Sequence, residues 1–489
     1  MLRSWVGPTV LLCIYGFCSM MRPSEPFLTD YLTGPYKNLT TKQVTRQVLP
    51  ICVYSNLFLL IPVFLVTDIL RYKPVIVLQA LNYILAFLLF IFSSGVVLTQ
   101  CALFIYSMGT AADVAYYSYI YSVVHPQYYQ RVTSYARGAV LLGYAVGAML
   151  GQLLVSLGGV SIYWLNVITL GSLCVALLAA LLLPMPQRSL VLGGTQNDNG
   201  PFEEVVSSSC GSWVVWWLRK GMRTGRGEMR ALKRLVVDCK ECYSSMAVLF
   251  FCVWSAMGKC GYHQITGYVQ LLWASKQPQY NFTEYNGGVE AVATLSGAAA
   301  SIAVGHVALD WSVWGELVLG VFTALTAGVL YLMDLTNSIW ICYGCYGLFK
   351  TIYMALITIC TFQIAQGLSR ERYALVFGAN SFVGMALQSL LTAIVVNTKS
   401  LVPLISFPGQ FLVYASYFAA MVVLFLIRGV YTLLQSRLMD LTSGMTLKQR
   451  EKTYSTATTP SQNREQTDAK DTQPPVLQLF MSKECNICI

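Results

Sequence analysis

Residues 75–96 read VIVLQALNYILAFLLFIFSSGV, twenty-two positions without a single charge. A helix rises about 1.5 Å per residue, so roughly 20 apolar residues cross the ~30 Å hydrocarbon core of a bilayer. The run is continuously apolar rather than alternating, which disfavours a membrane β-barrel. Outward from it, similar runs lie near 6–29, 48–70, 100–124, 138–159 and 161–184, and, after a polar stretch to about 245, near 246–272, 285–307, 314–333, 338–366, 374–396 and 409–430. With 56% hydrophobic and 11% charged residues over 489 positions, the chain has too little polar surface for a soluble globule of this size. The expected fold is all-α: a polytopic membrane protein of 12 transmembrane helices in two six-helix halves. The first run, Val6 to Met21, continues into Arg22-Pro23-Ser24-Glu25-Pro26 without a small-x-small cleavage site, so it reads as a retained span.

Loop charge sets the orientation. Arg71 and Lys73, Arg131 and Arg137, Arg370 and Arg372, and the central loop all fall on one side, which the positive-inside rule makes cytoplasmic, together with both termini. From Arg219 to Lys240 that loop carries eight Lys or Arg, preceded by Trp213, Trp216 and Trp217, a pattern suited to a helix lying on the anionic inner leaflet. The net charge of +10 is therefore a lipid-surface signal and not one for nucleic acid. Glycosylation sequons at Asn38-Leu39-Thr40 and Asn281-Phe282-Thr283 fall on the opposite side, in agreement with this map. The expected organisation is an N-terminal half at 1–184, a cytoplasmic basic loop at 185–245, a C-terminal half at 246–430 and a disordered cytoplasmic tail at 431–489. Tyr128-Tyr129-Gln130-Arg131 and Arg370-Glu371-Arg372-Tyr373 occupy corresponding places after the fourth and tenth spans, which points to a parallel repeat of the major facilitator type.

Ionisable groups inside a bilayer are costly unless they face a cavity or a partner. Those within the spans include Arg22 and Glu25, Asp113, Lys259 and His263, Glu290, and Lys350. Between Pro23 and Pro26, Glu25 either lines an opened helix or pairs with Arg22 at i, i+3. Glu290 stands among small residues after Gly287 and Gly288, and either faces a cavity or pairs with Lys259 or Lys350. Asp113 lies in a span rich in tyrosine (Tyr106, Tyr116, Tyr117, Tyr119, Tyr121), with Tyr144 beyond it; such rings offer faces to a cation or pack helices. Asp68 and Arg71, with Arg131 and Arg372, are candidates for gating on the cytoplasmic side. Fifteen cysteines lie mostly singly in apolar runs as packing residues. His125, His263 and His306 are too scattered for a metal or nucleophile constellation, and neither a Walker loop nor a Gly-x-Ser-x-Gly elbow occurs, so no catalytic residue, metal or cofactor is expected.

The segments Met21-Arg22-Pro23-Ser24-Glu25-Pro26-Phe27-Leu28, Thr67 to Pro74, Tyr116 to Val124, Tyr285 to Glu290 and Glu371 to Gly378 resemble the reduced folate and thiamine carrier family, the thiamine branch most closely. The resemblance implies thiamine uptake by alternating access at the plasma membrane, with pyridoxine as a possible second cargo and proton exchange as the coupling. It implies a substrate site at Glu25, Tyr106, Tyr144 and Glu290, to which Asp113 and Gln270 are added as candidates. Leu49, Cys52, Leu103 and Gly267 stand where the thiamine members carry an aromatic pair, a glutamate and an asparagine. Thiamine is a cation with two aromatic rings, so these departures, with Lys259 and His263, leave two alternatives open: a carrier of pyridoxine, a folate or another organic anion, and a non-transporting receptor-like paralogue.

Overall fold

The computed structural model describes residues 6–70, 72–124, 128–185, 243, 245–276, 285–307, 309–366, 370–397 and 407–457. Arg71, Asn281, all but three residues of the basic loop (185, 243 and 245 are described) and the tail from 458 onward lie outside the described residues. Every regular element among those described is helical. Helix α1 spans Val6–Met20, and a 3₁₀ turn at Glu25–Phe27 leads into α2, Leu28–Thr33. A one-turn helix α3, Thr41–Gln43, runs through a π turn into α4, Leu49–Ile69. Then follow α5 (Lys73–Phe92), α6 (Val96–Ala111), α7 (Asp113–Val123), α8 (Tyr129–Ser156) and α9 (Ile162–Leu182). The second group is α10 (Met246–Lys276), α11 (Asn286–His306), α12 (Trp311–Leu335), α13 (Ile339–Gln366), α14 (Arg370–Thr392) and α15 (Phe407–Ala457).

Among the described residues, ten helices are long and apolar enough to cross a membrane. The two others of span-like position, α1 and α10, carry much of the polar site described below. α1 ends at Met20, because the Pro23 and Pro26 rings cannot continue the helical ladder and the chain turns at Pro23 and Ser24. The expected single first span at 6–29 is thus a bent one. The fourth span is likewise divided: Ala112, at ψ −3°, separates α6 from α7. The last helix corrects the expected tail. α15 has 51 residues and runs to Ala457, well beyond the expected boundary at 430 and far longer than a bilayer requires. At that boundary the Arg428 guanidinium pairs with buried Glu316 of α12 at 3.2 Å and Thr432 donates to the same carboxylate, which anchors the turn that crosses it.

Helix pairing repeats between the two groups. α1 packs on α8 and α9 as α10 packs on α14 and α15; α4 lies on α6 as α11 lies on α13; α5 meets α6 and α9 as α12 meets α13 and α15. The groups join where α8 meets α11 and α4 meets α14. A lysine cap recurs as well. The Lys37 amine donates to the Ser93 carbonyl beyond the end of α5, and Lys276 donates to the carbonyls of Met333 (2.9 Å), Asp334 (2.6 Å) and Thr336 (2.5 Å) at the end of α12. The last carbonyls of a helix have no intrahelical donor and carry partial negative charge, so a lysine is well suited to both ends.

Candidate functional site

α8 contains Gly143, Gly147 and Gly151, four residues apart on one face. A Cβ at these positions would lie 2.3 Å from the Phe17 carbonyl oxygen, 2.7 Å from the Arg22 nitrogen and 2.4 Å from the Pro23 carbonyl oxygen. Small residues at this spacing let helix backbones touch in lipid. The bent segment after α1 is thereby pressed against α8, which carries Arg22 and Glu25 inward. The glycine stripe is legible in the sequence as a spacing, though nothing there says what lies against it.

Around that segment the first polar cluster assembles. Arg22 is 3% exposed; its Nε donates to the Ser19 carbonyl at 2.6 Å and its Nη1 to the Tyr106 hydroxyl at 2.6 Å. Tyr106 in turn donates to Glu25 Oε1 at 3.1 Å. Arg22 and Glu25 are therefore joined through a tyrosine rather than by the direct i, i+3 pair. The guanidinium lies over the rings of Tyr83 (4.1 Å) and Tyr106 (5.2 Å). Gln270 of α10 reaches the same turn, its Nε2 donating to the Glu25 carbonyl at 3.0 Å and its Oε1 accepting from the Thr29 amide at 3.2 Å. The structure thus brings Glu25, Tyr106 and Gln270 together. Asp113 stands behind them, accepting from Gln79 Nε2, while Gln79 Oε1 accepts from Tyr15 at 2.7 Å.

The second cluster is built by α11 and α13. Glu290, 6% exposed, accepts from the Tyr346 hydroxyl at 2.6 Å and forms an ion pair with Lys350, which is 3% exposed. The same ammonium donates to Thr294 Oγ1 at 3.0 Å and lies over the Tyr144 ring at 5.0 Å, and Tyr144 comes from α8 in the other group. Of the alternatives left by the sequence, Glu290 takes the pair with Lys350. Lys259 instead donates to Ser381 Oγ of α14 at 2.8 Å, and His263 packs edge-on against Tyr262. α8 links the two clusters: its Tyr144 faces Lys350 and its glycines hold the segment that carries Arg22 and Glu25. Each brings an acid, a base and tyrosine rings to the junction of the two helix groups. The sequence singles out both bases, but Tyr83, Tyr346 and Thr294 gain meaning only from partners 56 to 61 positions away.

The four departure positions sit differently. Leu103 is buried in the core, and Leu49 and Cys52 pack against that core, with Ser107 donating toward the Cys52 carbonyl at 3.3 Å. Gly267 faces open space, since a Cβ there would meet nothing within 4 Å.

Further bonds tie the two groups at the end of the bundle that carries Asn38. Asn286 Nδ2 donates to Asp30 at 3.3 Å, and the Gly288 amide to Gln152 Oε1 at 3.0 Å. Asn38 itself is exposed there. Of the expected gating residues, Arg71 lies outside the described residues, and Asp68, Arg131 and Arg372 lie on α4, α8 and α14.

Comparison with known proteins follows the same lines. Residues 3–413 match the profile of the family described as Reduced folate carrier. Human thiamine transporter 2 is 46% identical over 456 residues, covering 88% of this chain and 90% of its own length. Thiamine transporter 1 of Mus musculus is 46% identical over 456 residues, covering 88% and 91%. The human reduced folate transporter is 38% identical over 431 residues, covering 87% and 72%. Among solved structures, a POT family transporter in complex with a thioalcohol-conjugated peptide superposes with a TM-score of 0.60 at 11% identity, covering 87% of this chain and 96% of its own. The shared fold is the major facilitator type.

Proposed function

We propose a function for this chain on the premise that it belongs to the reduced folate carrier family, and is thus a membrane carrier of a small molecule and not an enzyme. Within that family we read it as a thiamine transporter working by alternating access, with uptake at the plasma membrane and both termini in the cytoplasm. The observation that carries the reading is the pair of adjoining acid–tyrosine clusters, Glu25 with Tyr106 and Glu290 with Tyr144 and Tyr346, at the junction of the two helix groups. Carboxylates and ring faces together suit a flat heteroaromatic cation. The 46% identity to thiamine transporters, against 38% to a folate transporter, supports the same cargo.

In this reading Glu25, Tyr106, Tyr144, Gln270 and Glu290 line the solute's path and Asp113 backs it through Gln79. In this reading the bonds of Asn286 to Asp30, of Gly288 to Gln152 and of Gln270 to Glu25 and Thr29 gate the extracellular end, and the cytoplasmic end has a gate of its own. Asp68, Arg71, Arg131 and Arg372 would act at that other end, in the state where it closes. The halves at 1–184 and 246–430 are the rocking bodies, joined by the basic loop along the inner leaflet. Asn38 and Asn281 are the glycan acceptors.

The test is uptake of radiolabelled thiamine by cells expressing the chain, competed with pyridoxine and with a reduced folate. Saturable uptake blocked by unlabelled thiamine supports the reading. A chain present at the cell surface that takes up no thiamine overturns it, and preferential competition by the folate would reassign the cargo to an organic anion.

A further inference from the structure

A carrier of a cation should offer it a carboxylate and ring faces, yet in this structure those groups are already engaged by a cation of the protein's own. The Lys350 ammonium sits on Glu290, donates to Thr294 Oγ1 and lies over the ring of Tyr144, contributed by the opposite helix group. The Tyr346 ring lies 5.9 Å away on its own helix, Tyr262 of α10 is a further polar neighbour, and Glu25 acts on it from a greater distance. Every feature that would recognise a heteroaromatic cation, negative charge, a hydroxyl and a π face, converges on this one amine. Arg22 occupies the matching place in the other cluster, but its planar fork is fixed by the Ser19 carbonyl and the Tyr106 hydroxyl while it stacks on Tyr83. Lys350 is a point charge on a flexible four-carbon stem and can swing away without breaking backbone contacts.

We propose that Lys350 is a built-in counter-ion whose ammonium holds, in the empty carrier, the place that the cationic ring of the solute takes in the loaded one. The solute then binds by exchange: Glu290 gives up one cation and accepts another, and the site never exposes an uncompensated buried carboxylate. Because the amine also touches Tyr144 of α8, its displacement loosens a tie between the two helix groups at the moment of loading. Lys350 is thus a positioning and specificity residue acting through Glu290, and its return drives the solute off on the far side. The proposal rests on the reading of the chain as a thiamine carrier.

The test uses the full chain purified into proteoliposomes, with Lys350→Met and Lys350→Gln. Once the competing charge is removed, Glu290 keeps the Tyr346 hydroxyl but has no counter-charge until a cation arrives, so the KM for thiamine falls about tenfold or more while the maximal rate also falls, since nothing displaces the product. Glutamine still donates to Glu290 and keeps the site folded if methionine does not. A KM that is unchanged or raised in a folded variant, as loss of a merely structural or substrate-contacting residue would give, overturns the proposal. A second readout does not depend on thiamine being the cargo: an N-benzylthiazolium ion should raise the melting temperature of either variant at concentrations about tenfold below those the parent chain needs. Equal responses of variant and parent overturn the counter-ion role, whereas a parent chain that binds the benzylthiazolium but moves no thiamine overturns only the assignment of cargo.

Discussion

Gly147→Ala adds one methyl group where α8 meets the bent segment after α1, and the structure sets the size of its effect. The new Cβ would stand 2.7 Å from the Arg22 backbone nitrogen and 3.1 Å from Met21 backbone atoms, about 0.7 Å inside ordinary contact. The neighbours are backbone, flanked by the equally tight approaches at Gly143 and Gly151, so no side chain can turn aside. The segment must retreat, and it carries Glu25 with it. The Tyr106 hydroxyl to Glu25 bond is 3.1 Å long; a retreat of about 0.7 Å takes it beyond hydrogen-bond range. Overpacking costs about 1–3 kcal/mol and a lost bond to a charged group about 1.5–3, against a gain of about 0.5–1 from replacing glycine within a helix. The net expectation is roughly 1.5–5.5 kcal/mol of destabilisation, a lower melting temperature of the purified chain and a raised KM for thiamine. Gly138→Ala on the same helix is the control, since its Cβ would meet nothing within 4 Å and only the helix gain applies. If Gly147→Ala melts and transports like Gly138→Ala, the close approach of α1 and α8 does not set the position of Glu25.

Glu290→Gln leaves the Lys350 ammonium buried without its carboxylate, which should cost about 3–5 kcal/mol and abolish thiamine uptake; replacing both residues, Glu290→Gln with Lys350→Met, should recover most of the melting temperature but not the uptake. Lys276→Met removes three bonds to the last carbonyls of α12 and should lower stability by about 1–3 kcal/mol, read as a lower melting temperature with an unaltered KM. Asn38→Gln should increase gel mobility of the chain from glycosylating cells by the mass of one glycan; a chain with no glycan at Asn38 would count against an extracellular placement of that loop.

The apolar runs were enough to place every helix of span-like position within a few residues at most ends, because in lipid the length and continuity of a hydrophobic segment directly set a helix. What they missed has a local physical cause in each case. The prolines at 23 and 26 marked an opening in the first span, but the turn they make depends on the glycine face of α8 against which it lies. The break at Ala112 carries no proline or glycine of its own to announce it. α15 runs past the expected boundary at 430, where Arg428 and Thr432 are held by Glu316, 112 and 116 positions away. The candidate site divides in the same way. Glu25, Tyr106, Gln270, Tyr144 and Glu290 could be singled out as polar or aromatic residues in apolar surroundings, or from the family pattern. The pairing of Glu290 with Lys350, 60 positions away, could be offered only as one of several alternatives, since sequence distance does not reveal which helices are neighbours.

α8 shows how such pairings divide the molecule into parts that can move and parts that cannot. Along eight residues its three glycines bring α1 and the turn beyond it to backbone contact, so no side-chain slack exists by which the two could slide. The turn's Arg22 and Glu25 must therefore travel with α8. Against α11 the same helix makes a tight approach at Ala148 and Gly287, one amide bond from Gly288 to Gln152, and the reach of Tyr144 to Lys350. That interface has one backbone approach where the other has three, and its remaining named links are polar or carried by a flexible amine. If the two helix groups rock, they part along α8 and α11, and Glu25 recedes from Glu290 as a body with Tyr144. A solute bridging both acids would resist that parting until the Lys350 ammonium is again free to take one of them.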